Sequence, residues 1–324
     1  MITTVVGNYP KVPSLSGGPN LRTAIGRFDQ GRITAEELAK VADEATRDAI
    51  GEQARAGLDL ITDGHIRWED EITYVVRGLA GISLNGLIRF FDTNTYYRQP
   101  VIEGAVKWER PITVKDYRFA VEVSQKPIKV VLPGPLTVAQ HAQDIFYRDT
   151  QKLAAAAAEA LNAEARALQD AGATYIQWNE PSLLRIKDEF STMQKLAKVL
   201  TRGITVKTAL YTYFGDISGL YPQLFDLPFQ VFGLDFVTGE ANFSLLKSFP
   251  QEKELGFGIV DARNTKLESI EELVGYLDQI RSVVSLDRVL LNPNCGLEFL
   301  PRKNAYEKLA RMAAAVVRAK EVLL

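Results

Sequence analysis

Apolar positions along the chain follow two alternating patterns. Short runs rich in Val, Ile, Leu and Tyr recur at 2–7, 58–62, 128–135, 173–178, 204–211, 230–237, 255–260 and 288–292. None alternates strictly with period two, so each reads as a strand covered on both faces. Between them lie longer stretches with apolar residues at helical spacing: 32–57, 150–172, 191–203, 241–249, 267–284 and 302–324. The first opens on Thr34 with Glu37 three residues later, the pattern of a capping box, and stops at Gly57. The alanine-rich second is a helix on propensity alone and stops at Gly172.

Eight buried strands separated by helices predict an α/β fold, a single closed (β/α)8 (TIM) barrel over residues 1–324. A doubly wound open sheet is the alternative. It more often carries a glycine-rich phosphate loop after its first strand, and neither G-x-G-x-x-G nor G-x-x-x-x-G-K-[ST] stands in a strand-to-helix context here. Residues 81–115 fit neither a helix nor a short loop; they predict a β-rich excursion after the second strand, of a length usually reserved for function.

Composition narrows the classes further. With 38 basic and 40 acidic side chains the net charge is −2, which gives no field to attract nucleic acid or an anionic membrane. No apolar run approaches the length of a membrane span. The start, MITTVVGNYPKV, lacks the basic residues and apolar run of a signal peptide. One cysteine excludes an internal disulfide framework and is compatible with a reducing cytoplasm, where we expect the protein to work.

Chemistry in such a barrel gathers where strands end. These ends supply Asn8, then Asp63, His65 and Asp70, then Trp178, Asn179 and Glu180, then Tyr213, Asp235 and Glu240, and finally Asn292, Asn294 and Cys295. Loop residues are polar in any protein, but so many acids and aromatics on one rim suit a small polar ligand and a flat one. Cys295, Glu240 and Asp70 are the candidate catalytic residues. Asn8, Asp63, His65, Trp178, Asn179, Glu180, Tyr213 and Arg22 are the candidate substrate-binding residues. A zinc site needs about three ligands. The chain has two histidines, His65 and His141, and no paired metal motif. Cys295 reads equally as a metal ligand, a nucleophile served by His65, or a buried filler. Glu180 reads either as the partner of a ligand's amino group or as an acid favourably placed at a helix start. Trp178 reads as a stacking surface or as packing.

Several stretches together, TTVVGNYP, LRTAIGRFDQGRITAEEL, AGLDLITDG, LPGPLT, YIQWNEPSL and LNPNCGL, resemble the cobalamin-independent methionine synthase family over nearly the whole chain. The resemblance implies a (β/α)8 barrel that moves a methyl group from a methylated pterin or other donor to the thiol of homocysteine, activated by zinc. The family holds zinc with an H-x-C pair after the fifth strand, a Glu after the sixth and a Cys in the eighth-strand motif. Here the matching positions are Leu210, Thr212, Glu240 and Cys295. Leu210 and Thr212 cannot bind zinc as the family does, so a degenerate site is expected, with Cys295 and Glu240 the candidate ligands should a metal bind. Two acids that hold the homocysteine amine in the family are replaced by His65 and Asn179. Residues 212–239 are more like the zinc-free N-terminal barrel of the two-barrel enzymes, and Arg22 stands where a basic residue suits an anionic ligand.

Three expectations follow. The chain is a methyl-transfer protein with an altered or absent metal site. Alternatively, it is a donor-binding barrel that serves a separate zinc-bearing barrel. Or it acts as an alkyl transferase or lyase on a substrate lacking an α-amino group, which would explain His65 and Asn179 together.

Overall fold

The computed structural model describes residues 1–13, 17–18 and 20–324. Strands β1 (Ile2–Thr3), β2 (Ala80–Arg89), β3 (Tyr96–Lys107), β4 (Val130–Pro133), β5 (Gln143–Asp144), β6 (Tyr175–Asn179), β7 (Lys207–Tyr211), β8 (Val231–Asp235), β9 (Glu254–Val260) and β10 (Val289–Pro293) form two sheets. Seven of them make a curled parallel sheet in the order β1-β10-β9-β8-β7-β6-β4. The second predicted strand, around Ile61, is too short to count as one, but it closes the ring. Leu60 N donates to Thr3 O at 3.1 Å on one side, and Lys129 N donates to Ile61 O at 2.9 Å on the other. The barrel fold expected from the sequence is therefore present. The first run is shorter than expected: only Ile2–Thr3 is regular strand, after which Thr4 N still donates to Leu291 O at 2.9 Å.

The helices are α1 (Leu21–Asp29), α2 (Ala35–Arg55), α3 (Thr73–Val76), α4 (Val114–Val123), α5 (Pro135–His141), α6 (Thr150–Asp170), α7 (Phe190–Leu200), α8 (Ala241–Leu245), α9 (Ile270–Ile280) and α10 (Arg302–Leu323). The capping box on α2 forms as read: Thr34 Oγ1 accepts from Glu37 N at 3.2 Å and Glu37 Oε2 accepts from Thr34 N at 2.7 Å. Its buried face, Ala42, Ala45, Thr46, Ala49, Ile50 and Gln53, keeps the helical period and lies on the barrel. Helices α1, α3 and α4 were not anticipated; all three are short. No helix among the described residues is long and apolar enough to cross a membrane.

The excursion is an antiparallel hairpin, β2 with β3, to which β5 adds in parallel. Tyr97, Ile102 and Val106 face inward from β3, while Leu87 and Tyr96 remain exposed. The hairpin thereby stands as a wall beside the rim.

Inside the barrel the middle layer is polar and aromatic. The Tyr211 ring lies against β8 and β9, where any Cβ on Gly233 or Gly256 would collide with it, so glycine is required at both positions. Lys129 Nζ sits 4.9 Å from the Tyr211 ring centre and donates to Gln177 Oε1 at 2.7 Å. Burial without a carboxylate partner pushes the Lys129 ammonium well below its ordinary pKa.

Candidate functional site

At the C-terminal ends of the strands a cavity of about 470 Å³ opens between β1, the loop after Ile61, the hairpin and the turn after β10. Asn8, Lys11, Asp70, Glu71 and Glu298 line it, with Arg22 exposed at its mouth. Two carboxylates dominate it. Glu71 accepts from Asn179 Nδ2 at 2.6 Å and from the Tyr213 hydroxyl at 2.8 Å. Glu298 accepts from Asn8 Nδ2 at 3.1 Å, and its Oε2 is shut off from water with no partner among the described residues.

Burial raises the pKa of both acids, with Asp70 adding to the rise at Glu71; Glu298 is pushed up to about 8 by burial and then by Glu71. The hydrogen bonds from Asn179 and Tyr213 favour the charged form of Glu71. Lys11 is the nearby cation; its ammonium donates to the backbone oxygens of Trp68 and Glu69, and burial lowers its pKa.

His65 stands behind Asn8, against a separate small void. Its ring stacks on Trp68 with centres 3.7 Å apart, and its Nδ1 lies 2.9 Å from Asn8 Oδ1. Because the Asn8 amide nitrogen donates to Glu298, its oxygen faces His65, which makes Nδ1 the protonated nitrogen. Burial drives the His65 pKa down to about 3, so the ring is neutral. The chain His65, Asn8, Glu298 mirrors the pair Asn179, Glu71: each neutral side chain leads by hydrogen bonds to a carboxylate.

Of the candidate binding residues, Asn8 and Arg22 border the cavity, while His65, Asn179 and Tyr213 lie behind it, hydrogen-bonded to Asn8 or to Glu71. Other expectations are corrected. Glu180 does not face the cavity. It is fully buried and accepts from Leu136 N at 2.9 Å, Thr137 N at 2.6 Å and the Thr137 hydroxyl, tying down the start of α5. Trp178 alternates to the outer face of the sheet and packs on Phe229 at 5.9 Å, so no ligand ring can reach it. Asp63 lies behind the His65–Trp68 stack, beside a void of about 20 Å³, and accepts from His65 N at 3.0 Å. Asp70 touches the cavity, and its Oδ1 accepts from Ile72 N at 2.9 Å and Thr73 N at 2.7 Å, which fixes the turn leading into α3.

The proposed metal ligands do not converge. Glu240 is exposed and lines a different pocket, with Phe236, Phe243 and Asp261. Cys295 is completely buried, its Sγ set 3.6 Å from Gly296 O. Burial, then the Glu298 and Asp235 carboxylates, push its thiol well above the usual range, so it keeps its proton. It is neither a ready nucleophile nor a ready ligand. Leu210 and Thr212 turn away from the barrel axis, since successive strand residues alternate. The residues that face inward there are Tyr211 and Tyr213. Among the described residues no three His, Cys, Asp or Glu side chains cluster as a metal site would require.

Glu71, Glu298 and Lys11 were missed by the sequence reading. Glu298 stands three residues past Cys295, in a turn whose direction decides whether it points in or out. Glu71 adjoins Asp70, and both border the cavity; the backbone turn at 70–73 engages Asp70 and leaves Glu71 to Asn179 and Tyr213.

The sequence model for the catalytic domain of cobalamin-independent synthases matches residues 1–318. The chain belongs to the cobalamin-independent methionine synthase family. The protein named methionine synthase in Sulfurisphaera tokodaii is 31% identical over 99% of this chain and 93% of its own length. That of Saccharolobus solfataricus is 30% identical over 99% of this chain and 95% of its own. Among solved structures, a B12-independent methionine synthase from Shewanella sp. W3-18-1 in complex with selenomethionine superposes with a TM-score of 0.86 at 23% identity, covering 99% of this chain and 98% of that one. A putative vitamin-B12 independent methionine synthase from Listeria monocytogenes gives 0.77 at 18% identity, covering 99% of each chain. These two likenesses establish the barrel. Of the candidate zinc donors, Cys295 is fully buried and Glu240 is exposed on a separate pocket, while Tyr211 and Tyr213 point inward at the end of β7.

Proposed function

We propose that this barrel takes part in methyl transfer of the methionine synthase type. It binds a homocysteine-like amino-acid thiol in the rim cavity and accepts a methyl group from a methylated pterin or another small donor, with the family's zinc site degenerate. The observation that carries the reading is the cavity itself. It lies at the strand ends where barrels place their chemistry, and it combines a buried acid pair with Lys11 and, at the mouth, Arg22, complementary to a zwitterion. The relatives named methionine synthase, and the selenomethionine held by the Shewanella protein, support the same ligand class. The acid pair argues against a substrate without an amino group. Methyl transfer needs a thiolate, and Glu71 and Glu298 are the candidate acceptors of the thiol proton. The test is methionine formation from homocysteine by the purified chain with methylated pterin and alternative donors, read by mass spectrometry. Turnover by the isolated chain is the expected result; its absence under every donor and partner would refute the reading.

The scattered donors also favour a second reading, in which the chain binds donor or acceptor and a separate zinc-bearing barrel supplies the thiolate. Turnover that appears only when such a paralogue is added would select it.

A further inference from the structure

A continuous line of hydrogen bonds runs from the barrel interior to the rim cavity. Gln177 and Asn179, two residues apart on β6, share one face of the strand. Gln177 Nε2 donates to Val6 O and to Asn179 Oδ1, both at 2.7 Å. Its Oε1 accepts from Lys129 Nζ at 2.7 Å. Asn179 Nδ2 then donates to Glu71 Oε1 at 2.6 Å, and the Tyr213 hydroxyl donates to Glu71 Oε2 at 2.8 Å. Lys129, Gln177 and Asn179 are each at most 1% exposed, so solvent does not reach these links. Gln177 itself does not border the cavity.

The direction of the line is fixed at its start. A backbone carbonyl accepts and never donates. Val6 O therefore turns the Gln177 amide nitrogen toward itself and leaves the Gln177 oxygen to Lys129. The second N–H of Gln177 commits the Asn179 oxygen, so the Asn179 nitrogen faces Glu71. A reversed Asn179 would set donor against donor at Gln177 and oxygen against oxygen at Glu71. Buried polar groups left unmade in this way are costly.

We infer that Gln177 is a positioning residue: it holds Asn179 as a fixed donor, so that Glu71 Oε1 always accepts and a proton reaching Glu71 sits on Oε2. The Tyr213 hydroxyl both donates and accepts, and it turns over when that proton arrives. One O–H bond forms at Oε2, and the group that gave up the proton is left with its electron pair. The inference deepens the methyl-transfer reading, in which Glu71 is a candidate acceptor of the thiol proton, and it rests on that reading only where turnover is measured. The other charged or titratable groups within electrostatic reach of Glu71 are Asp70 beside it, Lys11 from the segment after β1, and Glu298 and Cys295 from the turn after β10.

The experiment is a double-mutant cycle on the whole chain. Its readout is the carbon-13 carboxyl signal of Glu71 against pH, in protein labelled at glutamate Cδ; the signal is the one lost in E71Q. Gln177→Met keeps the length of the side chain and removes its donors. Asn179 then loses its hold, and Glu71 loses a donor that favours its charged form. The Glu71 midpoint should rise by about one pH unit, roughly a tenfold gain in proton affinity and the low end for a hydrogen bond to a charged group. In an Asn179→Ala background the midpoint starts high, and Gln177→Met should move it by less than about 0.3 unit, because Gln177 acts through Asn179. A merely structural role would lower the thermal midpoint and leave this titration alone. Gln177→Met strands the Lys129 amine, so thermal unfolding is followed alongside. If that variant does not fold, Gln177→Met with Lys129→Met, which removes both partners, takes its place in the cycle. An unmoved Glu71 midpoint, or an equal rise with and without Asn179, overturns the inference. In methyl transfer the pH profile should show the same alkaline shift. A midpoint that moves as expected without turnover in any variant upholds the positioning role and counts against the methyl-transfer reading alone.

Discussion

Gly134→Ala tests how the site's scaffold is held. Gly134 has φ −80° and ψ 150°, values an alanine adopts freely, so backbone strain predicts no penalty. In an open site the change would stabilise by about 0.4–1 kcal/mol through the unfolded chain. Here the new Cβ would overlap Glu180 Oε2 and Cδ and lie 2.9 Å from the Asn179 carbonyl oxygen. Overpacking of this kind costs about 1–3 kcal/mol. Displacing Glu180 also strips Leu136 N, Thr137 N and the Thr137 hydroxyl of a buried charged acceptor, worth about 1.5–3 kcal/mol for hydrogen bonds to a charged group. The net is a loss of about 2–4 kcal/mol. At roughly 2 °C per kcal/mol for a chain this size, the thermal midpoint falls by about 4–8 °C. The decisive arm is the same substitution in a Glu180→Ala background. With the carboxylate gone, the penalty should fall below about 1 kcal/mol, because only the Asn179 oxygen still crowds the Cβ. An equal loss in both backgrounds would refute the clash with Glu180 as its cause.

Further outcomes can be checked on the same protein. His65 is held neutral, its pKa depressed from 6.5 to about 3. Below pH 6.5 the unfolded chain therefore takes a proton that the folded chain refuses, and stability falls as pH drops from 6.5 toward 3. His65→Asn, which tolerates the φ of 50° there, should flatten the fall of the thermal midpoint between pH 6.5 and 4; an unchanged slope would assign it elsewhere. Cys295, buried and with a raised pKa, should resist DTNB at pH 8 in the folded protein and react fully, one thiol per chain, in guanidinium; rapid native labelling would contradict its placement. Glu52 accepts from Arg302 Nε at 2.8 Å and from the Tyr9 hydroxyl at 2.9 Å in the buried core. Glu52→Ala leaves the Arg302 charge unpaired and should cost about 3–5 kcal/mol, read as a lowered thermal midpoint; a loss under 1 kcal/mol would mean the cluster is wetter than it looks.

The strands were legible because burial on both faces leaves continuous apolar runs, and the long helices because a one-sided apolar face repeats every three to four residues. Helix α4 was hidden: Val114–Val123 is short, and its pattern mixes with the hairpin's end. The stretch around Ile61 was legible as apolar, but its closing role lies in hydrogen bonds to Thr3 and from Lys129, residues 58 and 68 positions away from it and from each other in no local pattern. Within the site, Asn8, His65, Asn179 and Tyr213 were found because they follow strands directly, where the chain's direction is fixed by the sheet. Glu180 and Trp178 occupy the same ends and were misplaced. Strand alternation sends Trp178 outward, and the turn into the 3-10 segment at Pro181 lays Glu180 against α5.

By itself the sequence determined the barrel, its helices, the family and the rim on which chemistry sits, because these follow from periodicity, caps and motifs carried by neighbouring residues. Only the tertiary structure decided which acids gather at the cavity and what each of them meets there. Glu71 and Glu298 lie far apart along the chain, and Asn179 and Asn8 reach them across the barrel mouth. Whether a carboxylate is a helix cap, a buried anchor or a ligand's partner depends on what surrounds it in space, and that surrounding is built from chain segments that local sequence does not bring together.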